Sequence, residues 1–189
     1  DFNYKLMNIH SVIENVKATF YCVAKEHEII LQANEQNNLP EIYADSQRLG
    51  QVLTNLVSNA IKFTPKGKCI TIKSELKNSA EISTNHYFED EIKNLDGRYI
   101  VVSVEDEGIG IKEGDLLKAF DKFTQIENSL SRKVGGTGLG LPIAKQLIKA
   151  HKGAIWCDSE ENKGSSFHFA LPVSTEQMRD EKTIQKELL

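Results

Sequence analysis

The chain has 189 residues, of which 40% are hydrophobic, 26% charged and 7% aromatic, and its formal net charge is -4. That length and apolar content suit one domain with a buried core, and the excess of acid argues against a nucleic-acid binder, whose phosphate contacts need a basic surface. Three cysteines, Cys22, Cys69 and Cys157, are odd in number and form no C-x-x-C pair, so neither a disulfide framework nor a zinc site is implied and reduced thiols in a cytoplasmic compartment are expected.

Leu6, Ile9, Val12, Ile13, Val16 and Phe20 recur at helical spacing and predict an amphipathic helix over 6–25. Residues 28–33 read as a short strand and 34–40 as a polar turn. Asp45 and Ser46 are N-cap types opening a second helix that runs to about Phe63, where Thr64-Pro65-Lys66-Gly67 stops it. Residues 69–76 and 98–105 read as strands. Between them, 77–97 is polar and acidic and is expected to be a long, mobile hairpin loop. Residues 107–110 form a glycine-rich turn, and 129–140 are polar and glycine-rich without a period. A third helix is predicted over 141–152, ended by Gly153, followed by closing strands at 154–158 and 165–171. The charged stretch 174–189 reads as a linker or tail beyond a domain of residues 1–173. Helices and strands are intermixed without strict alternation, which favours a two-layer α/β sandwich over a doubly wound fold.

The second helix carries two faces. Leu49, Val52, Leu53, Leu56, Val57 and Ala60 make an apolar one; Gln51, Asn55, Asn59 and Lys62 make a polar stripe. The stripe reads either as solvated surface or as a working face. Asparagine is a weak mid-helix former, because its short amide competes for backbone hydrogen bonds, so two of them on one stripe suggest a task for their carbonyl oxygens. A hard cation such as Mg²⁺ takes oxygen ligands, and Lys62, one turn on, is placed to reach a phosphate.

Two glycine-rich loops follow. An apolar run over 99–104 leads into Glu105-Asp106-Glu107-Gly108-Ile109-Gly110, where glycines after a strand permit a sharp turn and close approach of a ligand. Asp106 there is either an ordinary turn aspartate or an acceptor for the exocyclic amine of adenine. Gly135-Gly136-Thr137-Gly138-Leu139-Gly140 opens the third helix, whose free N–H groups favour phosphate. The run fits neither the P-loop nor the Rossmann pattern.

In order along the chain, DSQRLGQVLTNLVSNAIKFT (Asp45 to Thr64), VEDEGIGI (Val104 to Ile111), FDKFTQ (Phe120 to Gln125) and SRKVGGTGLGLPIAK (Ser131 to Lys145) resemble the N, G1, F and G2 boxes of two-component sensor histidine kinases. The resemblance covers nearly all of residues 2–172. It implies the GHKL-type (Bergerat) fold, a mixed sheet with helices on one face, with ATP between the N-box helix and the loop before the third helix. Carried over residue by residue, Asn59 ligates Mg²⁺, Lys62 contacts phosphate, Phe63 lies against the base and Asp106 reads the adenine amine. Gly108, Gly110 and Ile111 border the nucleotide, Phe120 and Phe123 anchor a lid over about 124–136, and Arg132 or Lys133 reaches the terminal phosphate. Gly136, Thr137, Gly138, Leu139, Gly140 and Leu141 wrap the phosphates, and Gly164 to Phe167 (GSSF) resembles the closing strand motif.

Hydrolysing relatives of this fold carry a glutamate one turn before the metal asparagine. Here that position is Asn55, and an amide cannot take a proton near neutral pH. The resemblance therefore implies slow hydrolysis and a catalytic set of Asn55, Asn59, Lys62 and Arg132 that delivers the γ-phosphate to a histidine elsewhere. None of His10, His27, His86, His151 and His168 stands in the family's acceptor context, so all five read as structural. The acceptor is expected on a dimerisation domain upstream of Asp1, with a response-regulator receiver domain downstream in the relay. A hydrolysing ATPase, a non-catalytic nucleotide-binding module and a serine-directed kinase of the anti-sigma type are the alternatives. No run reaches the ~20 apolar residues of a membrane span, so the chain is expected to make no direct membrane contact, although its parent protein can be anchored.

Overall fold

The computed structural model describes residues 2–121 and 138–173. Strand β1 (Lys5–Met7) leads into helix α1 (Ile9–Glu26), then β2 (Ile30–Glu35), β3 (Ile42–Ala44), α2 (Ser46–Phe63), β4 (Cys69–Asn78), a one-turn helix α3 (Glu89–Ile92), β5 (Arg98–Asp106), α4 (Gly140–Ala150), β6 (Ala154–Glu160) and β7 (Gly164–Pro172). Five strands form one sheet in the order β2-β4-β5-β7-β6. The β2–β4 pair is parallel and the others antiparallel. A separate two-stranded ribbon joins β1 to β3. The mixed sheet with α1, α2 and α4 layered on it is the α/β sandwich expected.

The core lies between sheet and helices. Period-two alternation sends Ile70, Ile72, Ile100, Val102, Val104, Phe167 and Phe169 to the helix side, all buried. From α2, Leu49, Val52, Leu53, Leu56, Val57, Ala60 and Ile61 meet them. Each such side chain contributes about 1.5–3 kcal/mol by leaving water, so this face sets the helix's orientation. The polar stripe is turned away from the core. Asp45 caps α2 by accepting from Gln47 N–H at 3.0 Å and Arg48 N–H at 3.1 Å. Thr64 ends it in an extended conformation, as a residue before proline must.

Several boundaries differ from expectation. Leu6 belongs to β1, paired with Tyr43, and α1 starts only after the Asn8 cap; both partner strands are three residues long, too short for an alternation signal. The strand predicted at 28 begins at Ile30, because Glu28 takes a left-handed φ of 56° in the turn before it. The third helix ends at Ala150, since Lys152 has φ 59° and Gly153 N–H returns to the Ile148 carbonyl at 3.0 Å.

The largest correction concerns 77–97, expected as a mobile hairpin loop. It does connect antiparallel strands, but it is packed. Ile82 and Phe88 are buried, and Tyr87, Ile92 and Leu95 pack against the core. Two single-turn 3-10 helices, Ser79–Glu81 and His86–Phe88, lead into α3. Phe88→Ala should therefore lower unfolding stability by about 3–4 kcal/mol, the cost of truncating a core aromatic, as read from urea midpoints. A change below about 0.5 kcal/mol, ordinary for an exposed loop, would contradict the packing.

Candidate active site

Asp106 is the last residue of β5 and faces the helix side, in register with Ile70 and Ser165. Its Oδ1 accepts from Gly108 N–H at 2.8 Å and Ser165 N–H at 3.3 Å. Burial pushes its carboxyl up to about 6, against those two hydrogen bonds, which pull it down. The carboxylate thus sits in a cramped, poorly hydrated place with Oδ1 already committed.

The surrounding backbone leaves room for nothing but glycine at three points. A Cβ on Gly108 would stand 2.5 Å from Asp106 Oδ1 and 2.7 Å from the Phe63 carbonyl oxygen. Gly110 has φ 67°, and a Cβ there would meet the Glu160 carbonyl at 2.0 Å; Gly164, at φ 110°, would meet the Asp106 carbonyl at 1.9 Å. Gly164 read in sequence only as part of a closing strand motif. In space it lets β7 start hard against Asp106, and Ser165 then supplies the second N–H. Ile111 N–H is held by Ser159 Oγ at 2.8 Å, and that hydroxyl donates to the Gly164 carbonyl at 2.9 Å. Ser159 carried no sequence signal; only the β6–β7 hairpin brings it under the loop.

Helix α2 touches both sides of the site. At its C-terminal end the Phe63 carbonyl accepts from Ile109 N–H at 3.2 Å. Two turns earlier, Asn55 Nδ2 donates to the Gly140 carbonyl at 3.0 Å, at the first residue of α4. Asn59 lies one turn from each contact, on the same stripe. Its half-buried amide makes no hydrogen bond to any described residue, and exposed Lys62 has no carboxylate partner among them. An amide oxygen with no described partner, one turn from the Asn55 contact with Gly140, suits a hard cation that also binds phosphate oxygens.

The amino end of α4 faces Asn55. Gly138 has φ 66° and Leu139 occupies the cap position without a side-chain cap, leaving that N–H to another acceptor. Leu141 is half-buried against the core. Phe120 is buried, edge-on to Phe167 at 6.1 Å. Phe123, Arg132, Lys133, Gly136 and Thr137, and the lid expected over 124–136, lie outside the described residues, as does 174–189.

The histidines stand apart from this site. His10 Nδ1 lies 2.8 Å from the Glu35 carboxylate. His168 bridges Ser103 and Asp158 on the far face of the sheet. His151, just past the end of α4, accepts from Asp45 N–H at 3.1 Å through Nε2 while Nδ1 bonds the Leu147 carbonyl at 2.7 Å. That pairing requires the neutral tautomer with hydrogen on Nδ1. The cysteines are unpaired, and burial pushes the Cys157 thiol well up. Among the described residues, no helix is long and apolar enough to cross a membrane.

Known proteins share this sequence pattern and fold. Residues 44–175 match the family described as histidine kinase-, DNA gyrase B-, and HSP90-like ATPase. The sensor histidine kinase WalK of Bacillus subtilis (strain 168) is 39% identical over 147 residues, covering 76% of this chain and 21% of WalK. The hybrid signal transduction histidine kinase D of Dictyostelium discoideum is 36% identical over 176 residues, 86% of this chain and 11% of that protein. The chain thus spans about a fifth or less of the length of these two relatives. Among solved structures, the nucleotide-free catalytic domain of histidine kinase ThkA superposes with a TM-score of 0.69 at 29% identity, covering 91% of this chain and 97% of that one. Full-length ShkA in complex with AMPPNP gives a TM-score of 0.73 at 25% identity, covering 93% of this chain and 32% of ShkA. On sequence and fold together, the chain belongs to the histidine kinase-, DNA gyrase B- and HSP90-like ATPase family, as a catalytic domain of the sensor histidine kinase kind.

Proposed function

We propose that this domain binds Mg·ATP and transfers its γ-phosphate to a histidine on a separate dimerisation domain of the same parent protein, in the cytoplasm, for relay to a response-regulator receiver domain. The observation that carries the reading is the arrangement along α2. Its C-terminal end touches the Asp106 loop and its middle touches the start of α4, and Asn59 and Lys62 between these contacts make no side-chain hydrogen bond or ion pair to any described residue.

In this reading Asp106 accepts the adenine amine through Oδ2, since Oδ1 is occupied. Gly108 and Gly110 keep the loop free of side chains where the base enters, and Phe63 and Ile111 line it. The N–H groups at 138–141 take phosphate oxygens, and Lys62 adds a positive charge. Asn59 would hold Mg²⁺, which would supply charge neutralisation at the phosphates. The acceptor imidazole nitrogen attacks the γ-phosphorus and ADP departs, so the domain's contribution is positioning and charge stabilisation. Arg132, Lys133 and Phe123 complete the site by family resemblance. Asn55 cannot act as base toward water, which preserves the γ-phosphate for the histidine.

Mixing the domain with its dimerisation partner and γ-labelled ATP should give acid-labile, base-stable label on the partner, reduced roughly 10–100-fold by Asn59→Ala. Steady phosphate release by the isolated domain, lost in Asn59→Ala, with no label transferred, would instead establish a hydrolase.

Because free Asp106 protonates at about 6 and the purine amine needs an acceptor, nucleotide affinity should be flat above pH 7 and fall as pH drops through 6. Titration of the nucleotide's own phosphates cancels in the ratio of wild-type to Asp106→Asn affinity. That ratio should shrink by about tenfold between pH 7 and pH 5. A ratio independent of pH by calorimetry would remove Asp106 from base recognition.

A further inference from the structure

Residues 79–97 do more than fill the space between β4 and β5. The segment is first pinned to the edge strand β6. Asn85 Nδ2 donates to the Cys157 carbonyl at 2.9 Å and to the Asp158 carboxylate at 2.8 Å, covering part of a sheet edge. Beyond that pin it reaches three elements that border the glycine-rich segment 122–137. Burial and the nearby Glu113 carboxylate, in the turn that follows the Asp106 loop, push the Tyr87 hydroxyl's pKa up. The Phe88 ring stands edge-on to Phe120, with centroids 5.6 Å apart at 78°. The Glu91 carboxylate lies 2.7 Å from Lys145 Nζ and 3.7 Å from Lys149 Nζ, both on α4.

These contacts close on one another. Lys145 Nζ also sits 5.6 Å from the centroid of the Phe120 ring, within cation–π range. Glu91, one ammonium and the rings of Phe88, Phe120 and Phe167 therefore tie residue 120 to the second turn of α4. Glu91 is 18% exposed and Lys145 28%, so the pair is shielded from solvent more than a surface ion pair and is worth correspondingly more. Phe120 precedes 122–137 and α4 follows it. The first turn of α4 has no side-chain cap among the described residues.

We propose that Phe88 and Glu91 are positioning residues for nucleotide binding, which hold Phe120 and the first turns of α4 at the separation the phosphate site requires. This rests on the reading of that site as one for Mg·ATP. Neither residue touches the nucleotide; they act by pre-organising groups that do.

The test measures binding of a non-hydrolysable ATP analogue with Mg²⁺ by calorimetry in the whole domain. Glu91→Gln is expected to weaken binding about fivefold, which is about 1 kcal/mol. Its melting temperature should stay within about 2 °C of wild type. Exchanging the charges, Glu91→Lys with Lys145→Glu, should restore affinity to within about twofold, a rescue that mere loss of packing would not show. Without nucleotide, amide exchange at 140–146 should quicken in Glu91→Gln and return to normal in the exchanged pair. Affinity and exchange both equal to wild type in Glu91→Gln would overturn the inference. So would a loss that follows melting temperature and resists the charge exchange. A wild-type domain that leaves the analogue unbound would defeat the reading of the site and this role with it, whereas equal affinities in wild type and variant defeat this role alone.

Discussion

The structure turns on a half-buried carboxylate where a strand ends. Asp106 lies at the last position of β5 and faces the helices, because the alternation that buries Ile100, Val102 and Val104 carries on for one more residue. Placing a carboxyl there is unfavourable in itself. Its folded value of about 6 stands above the ordinary 3.8, so between those values the native state binds more protons than the unfolded one. This group therefore lowers stability as pH rises from about 4 to about 6. The fold limits that cost with two backbone N–H groups, and the glycines at 108 and 164 let those groups approach. A carboxyl held at a raised pKa beside glycine-lined backbone is the pattern expected where ligand binding, not stability, governs the choice of residue.

Helix α2 answers that constraint from the other layer. Its apolar face is an ordinary core face, and the stability of the sandwich depends on it. The stripe behind carries residues that a solvated helix would not favour. The geometry shows why Asn55 stands there, since its amide hydrogen binds the carbonyl at the start of α4. Two helices are thereby registered against each other at the point where α4 turns its free N–H groups outward. Asn59, by contrast, makes no hydrogen bond to any described residue, so the same residue type stands in two different settings a turn apart.

What could be read from the sequence was what is encoded locally. The limits of α2 follow from Asp45 and Pro65, and its two faces follow from residue spacing alone. The strand leading to Asp106 and the glycines after it were legible because apolar runs and glycines act on near neighbours. The β1–β3 ribbon was not, since three-residue strands separated by 34 or more positions leave no periodic trace (Lys5 pairs with Ala44). Residues 77–97 misled for a related reason. Their composition is polar, as in a solvated loop, but the few residues that decide, Phe88 and Glu91, find partners at Phe120 and Lys145. Such pairs are formed by tertiary proximity and have no local signature. The roles of Gly164 and Ser159 likewise appear only once the β6–β7 hairpin is folded.

The choice of amide at position 55 also separates two chemistries on one scaffold. A glutamate there would bring a carboxylate oxygen toward the Gly140 carbonyl, where Asn55 now presents N–H. Two acceptors at such a distance repel, and the carbonyl would be left without its donor in a half-buried place. The start of α4 would have to shift, or the acid would have to turn into the cavity, where it could serve water as a base. Holding α4 and activating water are thus competing uses of the same site. In this chain the hydrogen bond wins, and under the proposed reading the group that would spend the γ-phosphate on water is absent. A domain built in this way is suited to hold ATP until a better nucleophile than water arrives.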